Sequence, residues 1–129
     1  MFTLEAIALA HAQVISGADF PKYIQDLLQL GVLSYNTYVT DGRTCYSGAH
    51  GFELSSEAKY APIPIAQESK VELFSTYLKM HQNGETDYPT FCNHAAECGV
   101  ERWQVNLGKL SCTYFDTNGA IVLEEAISA

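Results

Sequence analysis

The chain has 129 residues, of which 47% are hydrophobic and 17% are charged, and its formal net charge is −8 at pH 7. This length and apolar fraction fit one globular domain with a buried core and exclude a disordered tail. The acidic balance has no basic run to interrupt it, so we expect no nucleic-acid partner, because phosphate backbones would be repelled.

No apolar run reaches the roughly 18 residues that a membrane-spanning helix needs, so we also expect no membrane association. The amino-terminal stretch has no basic region before its apolar residues, and it carries Glu5 and His11, which is unlike a signal peptide. The sequence therefore predicts a cytoplasmic protein whose four cysteines are reduced.

The first half of the chain predicts two helices. One covers residues 3–16, and the second begins beside Asp19 and Pro21 and stops at Gly31. An acid next to a proline is typical of a helix start, and a glycine is typical of a helix end. Apolar residues between these ends recur at helical spacing, which predicts one buried face.

After Gly31 the pattern changes to strands. Alternation from Tyr35 to Val39 predicts the first strand, and Asp41-Gly42 predicts a two-residue hairpin turn to a return strand. Residues 51–54 predict a third strand. Residues 60–65 contain two prolines, so they predict an extended connector or an edge strand, and a further helix is expected at about 68–82.

The second half repeats the pattern 68 positions later. Asp19-Phe20-Pro21 matches Asp87-Tyr88-Pro89, and the same offset relates several glycines and aromatic residues, namely Gly31 to Gly99, Tyr46 to Tyr114 and Gly51 to Gly119. The sequence thus predicts an α+β fold made by internal duplication of a helix and a three-stranded antiparallel meander, each unit preceded by a further helix. We expect a single domain over residues 1–129 with pseudo-equivalent halves at about 1–54 and 68–125, joined by the extended connector.

Cys92, His94 and Cys98 are residue types that bind zinc. The repeat instead aligns both cysteines with apolar residues of the first half, and Cys92 and His94 are only two positions apart, on different sides of a helix. We therefore predict no metal site and no cofactor.

The two strand cysteines, Cys45 and Cys112, are not equivalent in the repeat, and their side chains are expected on opposite faces of their strands. A half-buried structural cysteine is the favoured interpretation of each, and a reactive thiol is the alternative.

The candidate binding residues are Asp41, Arg43 and His50, which we expect to share one loop end of the sheet. Loops on a rigid sheet often carry function, although ordinary turn chemistry also explains these residues. A second candidate is a cleft between the halves, which a tyrosine hydroxyl could reach. Four aromatic residues lie in the core pattern of the two repeats and are expected mainly to pack: Tyr35, Trp103, Tyr46 and Tyr114.

Two segments carry a family resemblance: Leu30-Gly31-Val32-Leu33-Ser34-Tyr35 with Val39-Thr40-Asp41-Gly42, and the run from Thr90 through Cys98-Gly99-Val100-Glu101-Arg102-Trp103 to Asp116. They resemble a family of small bacterial and phage proteins of unknown function that is described as YbcV-like or YdfO-like and is often labelled phage envelope protein. The resemblance covers nearly the whole chain. It implies an α+β fold and frequent residence in prophages, and it brings no catalytic or binding residues with it.

The leading hypothesis is an uncharacterised phage or prophage accessory protein that binds a host protein or a small ligand without catalysis, because the ordered fold has no catalytic set. One alternative is a thiol- or histidine-dependent enzyme with its site in the cleft between the halves. Another is a structural subunit of a phage particle. The oligomeric state stays open.

Overall fold

The computed structural model describes residues 2–14 and 19–127. Within these ranges it has an α+β fold, with four α-helices and one six-stranded antiparallel sheet. The helices are α1 (Leu4–His11), α2 (Phe20–Leu30), α3 (Val71–Gln82) and α4 (Tyr88–Glu97). The strands are β1 (Val32–Tyr38), β2 (Thr44–Gly48), β3 (Glu53–Ser55), β4 (Val100–Asn106), β5 (Ser111–Asp116) and β6 (Ile121–Ala126).

Local capping explains where the helices begin and end. The Asp87 carboxylate accepts a hydrogen bond from the Thr90 amide at 2.9 Å, and a proline follows in the first turn of α4. Helix α2 likewise has a proline in its first turn. It stops at Gly31, whose φ of 102° is left-handed and favours glycine.

The strand order is β3-β2-β1-β4-β5-β6, so β1 and β4 pair at the centre of the sheet. This pair is antiparallel and joins the two predicted halves, with Tyr35 opposite Val105 and Thr37 opposite Trp103. Each half runs from a helix into three strands, and α2 and α4 begin 68 positions apart. The element order agrees with the predicted meanders, whereas their origin by duplication stays a prediction.

The helices cover one face of the sheet. The ring of Phe74 in α3 lies 4.9 Å from that of Tyr114, and the ring of Phe91 in α4 lies 5.7 Å from that of Trp103. The largest fully buried side chains belong to this layer between helices and sheet: Phe74, Ile24, Leu27, Leu107, Val32, Val39, Val100, Cys92 and Cys98. Removing these apolar groups from water is the main force that holds the layers together.

No described helix packs on the opposite face, which is largely polar. One row of cross-strand neighbours on this face contains Cys45, Asn36, Gln104, Thr113 and Glu124. The Thr113 hydroxyl donates to the Glu124 carboxylate at 2.7 Å. We call this surface the open face. It fits the general pattern of an antiparallel sheet that is apolar on one side and solvated on the other.

The β1–β2 hairpin differs from its prediction. The loop comprises residues 39–43, and Asp41-Gly42 is only part of it. The backbone N–H of Val39 donates to Glu101 O at 2.9 Å, so the segment after β1 stays bonded to the residues beside β4 beyond the point where the pairing of β1 with β2 ends. The two-residue turn prediction was therefore wrong.

Other predicted boundaries shift as well. Helix α1 ends at His11, short of the predicted residue 16, although residues 15 and 16 lie outside the described ranges. The third strand starts at Glu53, two residues later than expected. The connector, which in the structure comprises residues 56–70 between β3 and α3, forms no strand, and this decides between the two predicted alternatives in favour of an extended segment. None of the described helices has the length and apolar character needed to cross a membrane.

Candidate functional site

A pocket of about 940 Å³ lies between helices α1 and α2 and the helix-covered face of the sheet. It draws residues from both halves of the chain and from the connector. Most of its lining is aliphatic or aromatic: Leu4, Ile7, Ala8, Ala12, Val14, Phe20, Tyr23, Tyr35, Tyr46, Tyr88 and Trp103. The polar and small remainder is His11, Thr37, Gly42, Thr44, Ser56, Glu57 and Lys59.

Strand pairing builds the floor of the pocket. Tyr35 on β1 lies opposite Tyr46 on β2, and their rings are 5.7 Å apart. One step along the strands, Thr37 lies opposite Thr44 on one side and Trp103 on the other. The two threonine hydroxyl oxygens are 3.1 Å apart and hydrogen-bonded, so these buried polar groups satisfy each other.

Helices and the connector supply the walls. Tyr23 reaches in from α2, and the imidazole of His11 on α1 meets its ring edge-on at 5.4 Å between centroids. Tyr88 enters from the start of α4. Glu57 and Lys59 come from the connector and are exposed, so the charged groups lie at the mouth of the pocket.

The phenol groups of the pocket are held neutral. Burial raises the pKa of Tyr23, and the nearby Tyr46 hydroxyl raises it further. Burial also raises the pKa of Tyr35 and of Tyr88, the latter with a contribution from the Cys92 thiol. Burial penalises a phenolate, so at neutral pH these side chains offer O–H donors and uncharged oxygen acceptors.

The size and chemistry of this pocket suit a small molecule. Ligand pockets in proteins typically enclose about 300–1,000 Å³ and are mostly apolar with a few placed polar groups. Tyrosine and tryptophan rings favour stacked or edge-on contact with another ring, at about 0.5–1.5 kcal/mol per pair beyond the burial of area. Losing hydration against neutral walls would cost a charged ligand far more free energy than an uncharged ring, whose hydroxyl or carbonyl group can hydrogen-bond to the phenols.

The thiols near the pocket are poorly suited to nucleophilic attack. Cys92 is buried, and burial raises its pKa although the Tyr60 and Tyr88 hydroxyls oppose the shift. Burial raises the pKa of Cys112 to about 11. Both thiols are therefore protonated at neutral pH, and the thiolate is the reactive form.

The structure separates the three predicted site residues. Asp41 and Arg43 lie in the loop before β2, where the Asp41 carboxylate accepts a hydrogen bond from the Arg43 backbone amide at 3.0 Å. His50 lies in the short 3₁₀ turn after β2, and its side chain is exposed. The expectation that all three share one loop end was wrong, because the whole of β2 separates them. Their roles in binding stay predictions.

Packing engages the candidate metal ligands Cys92, His94 and Cys98 in other contacts. Cys92 and Cys98 are buried in the core, and the ring of His94 stacks on Tyr77 at 3.7 Å. In the part of the chain that the structure describes, no group of three or more His, Cys, Asp or Glu side chains could hold a metal ion.

The sequence indicated a cleft but not its lining. Tyr35, Tyr46 and Trp103 were assigned to the apolar pattern of the strands, and they do lie on the helix-covered face. The contributions of Tyr88 and of the connector were missed. A signal for Tyr88 is its alignment with Phe20 in the 68-residue repeat, since Phe20 also lines the pocket.

A family model described as a protein of unknown function (DUF1398) matches residues 8–126, which is most of the chain. No curated protein matches the sequence.

Proposed function

The chain belongs to the DUF1398 family of proteins of unknown function, and from its geometry we propose that it binds a small, uncharged aromatic molecule without catalysing a reaction on it. The ligand occupies the pocket between α1, α2 and the sheet. The observation that carries the proposal is the convergence of neutral tyrosine side chains and Trp103 around about 940 Å³ of space.

The proposal includes a biological setting. The resemblance to YbcV-like and YdfO-like proteins supports a phage or prophage accessory role, in which the protein sequesters or carries its ligand inside the host cytoplasm. A host protein is the other kind of partner for such an accessory role.

An enzyme is the rival proposal. Its best base is His11, which lines the pocket, but the thiols of Cys92 and Cys112 are protonated by virtue of their raised pKa values. A binding function needs no activated nucleophile, so it agrees better with these groups. A structural particle subunit is the third proposal, and stable homo-oligomers in light scattering would favour it.

The test uses Trp103, the single tryptophan of the chain, as a fluorescent reporter inside the pocket. Biphenyl-4-ol is the uncharged aromatic probe, and biphenyl-4-carboxylate is its charged counterpart. We expect saturable quenching by biphenyl-4-ol and binding weaker by about tenfold or more for the carboxylate, because burying its charge is costly.

Two matched variants locate the binding site. Ala8→Phe adds a ring to the α1 wall of the pocket and should weaken binding by about tenfold or more. Ala49→Phe adds the same ring at an exposed position outside the pocket lining and should leave binding unchanged. Equal affinity in wild type and Ala8→Phe would overturn the proposal. Turnover of the probe that is lost in His11→Ala would favour the enzyme instead.

A further inference from the structure

A row of alternating arginine and aromatic side chains crosses the open face of the sheet. Tyr38 on β1 lies opposite Arg102 on β4, which lies opposite Phe115 on β5. Arg43 completes the row beside Tyr38, whose backbone N–H donates to Arg43 O at 2.9 Å. We call Arg43, Tyr38, Arg102 and Phe115 the arginine row. It lies on the side of the sheet away from the ligand pocket.

The guanidinium groups of this row are held in place. The Arg43 guanidinium carbon lies 4.4 Å from the centre of the Tyr38 ring, and that of Arg102 lies 3.9 Å from the centre of the Phe115 ring. Arg102 also donates through Nη1 to Asn36 Oδ1 at 2.7 Å. Stacking on a ring leaves the in-plane N–H donors of a guanidinium available. Both guanidinium groups are therefore fixed in position and retain N–H donors that can bind a further acceptor.

Within the described ranges, neither arginine has an acidic side chain as its ion-pair partner. The chain has 15 acidic residues against 7 basic ones, so an unpaired arginine is unexpected. Among the described residues, the ion pair within 4.0 Å is Lys22 with Asp26, far from this row in sequence. The nearest acid in the loop, Asp41, uses its carboxylate to accept from the Arg43 backbone amide. Arg43 and Arg102 are the two arginines of the chain, and the fold brings them into one row.

We propose that the arginine row binds an acidic segment of a partner protein. A guanidinium group and a carboxylate form a bidentate pair of hydrogen bonds, and this geometry is one reason why arginine is common at carboxylate-binding sites. Two strand spacings separate the arginines, which is about 10 Å. The partner segment therefore presents two carboxylates about 10 Å apart, the spacing of residues i and i+3 along one side of a polyproline II segment, which rises about 3.1 Å per residue.

Other occupants fit the row less well. A single phosphate ion cannot reach two guanidinium groups that are about 10 Å apart. A single-stranded nucleic acid would stack its bases on aromatic rings, but one ring face each of Tyr38 and Phe115 is taken by a guanidinium. The acidic protein segment is the occupant that uses both cations at once.

The test follows the arginine side-chain Nε–Hε signals by NMR while a peptide is added. The probe is acetyl-Asp-Gly-Gly-Asp-amide, and its control is acetyl-Asn-Gly-Gly-Asn-amide. We expect the acidic peptide to shift the signals of both Arg43 and Arg102, and the amide peptide to shift neither. Unchanged arginine signals with the acidic peptide would overturn the proposal.

Variants separate specific binding from general attraction. Arg43→Gln and Arg102→Gln should each weaken peptide binding by roughly tenfold or more, since each removes a charge-assisted hydrogen bond. Lys109→Gln removes one positive charge from the exposed β4–β5 turn and should change little. An equal loss in Lys109→Gln would mean nonspecific attraction and would overturn the proposal.

Arg102→Lys keeps the charge and removes the planar fork, so it should also weaken binding. Trp103 fluorescence reports whether each variant is folded. If Arg102→Gln fails to fold, the outcome in Arg43→Gln and Arg102→Lys decides. Tighter binding of oligothymidylate, equal shifts with inorganic phosphate, or an arginine-dependent dimer in light scattering would each contradict an acidic partner segment.

Discussion

At the scale of single residues, the pocket tyrosines connect the fold to pH. Their pKa values are raised because burial penalises the phenolate, as at Tyr23, Tyr35, Tyr46 and Tyr88. In the unfolded chain the same groups ionise near the ordinary tyrosine pKa of 10.0. The neutral phenols therefore favour the folded state fully below pH 10, and this contribution is lost as the pH rises further.

We accordingly expect alkaline denaturation. Tyrosinate absorbance of the wild type should rise in two parts, one from exposed tyrosines and one that coincides with the loss of helical circular dichroism. Replacing Tyr46 by Phe should remove one titrating group from the second part and leave the first part unchanged. Reversible ionisation of all eight tyrosines without any change in circular dichroism would contradict the buried, neutral state of these phenols.

Residue patterns in the sequence predicted which side chains face the helices, but not which of them meet. Tyr35 and Trp103 were expected on a buried strand face, and the structure confirms this. Their convergence depends on the pairing of β1 with β4, whose partner residues are 64 to 72 positions apart, and a local pattern contains no such register. Asp41 and His50 were grouped because they are close in sequence. Strand β2 lies between them, and its 5 residues span about 16 Å.

At the scale of elements, the ends of the helices were the most predictable features. The Asp87 carboxylate that caps α4, the proline in the first turn of each of these helices and the glycine that ends α2 act locally, so the sequence alone sufficed. The β1–β2 loop was not predictable in this way. Its length depends on Val39 pairing with Glu101 and on connector residues that bond to it, as the Ile63 amide does to Thr40 O at 2.8 Å.

Gly99, at the end of α4, lies close against the backbone of the connector. It has φ of +80°, and a Cβ there would lie 2.6 Å from Glu68 O of the connector. Gly119 has almost the same φ, +81°, with nothing within 4 Å of its Cβ position. Alanine should cost about 1–2 kcal/mol of unfolding free energy at Gly119 through backbone strain, and clearly more at Gly99 through the added clash. Urea denaturation measures both variants, and equal losses would show that the connector does not press on Gly99.

At the scale of the whole molecule, the central β1–β4 pair makes the two halves parts of one sheet. The pair shares five registered positions, from Ser34 with Asn106 to Tyr38 with Arg102. Neither half can bury Tyr35 or Trp103 without the other, because these side chains lie on neighbouring central strands. The hydrophobic contribution to stability is therefore shared across the halves.

We expect the two halves to unfold together. Trp103 fluorescence reports the centre of the sheet, and far-ultraviolet circular dichroism reports all the helices. In urea the two signals should change over the same concentration range with the same midpoint. Two separated transitions would mean that one half keeps its structure after the other is lost.

The hydrogen bonds of the connector determine what happens to a chain that is cut. Its residues bond to the hairpin loop on one side, as Lys59 N does to Asp41 O at 2.7 Å, and to α4 on the other, as Ala66 N does to Ala96 O at 2.9 Å. Lys59 itself is exposed to a protease. A break in the backbone there would leave the β1–β4 ladder intact, so the two fragments would remain associated as a noncovalent complex and would separate only in denaturant.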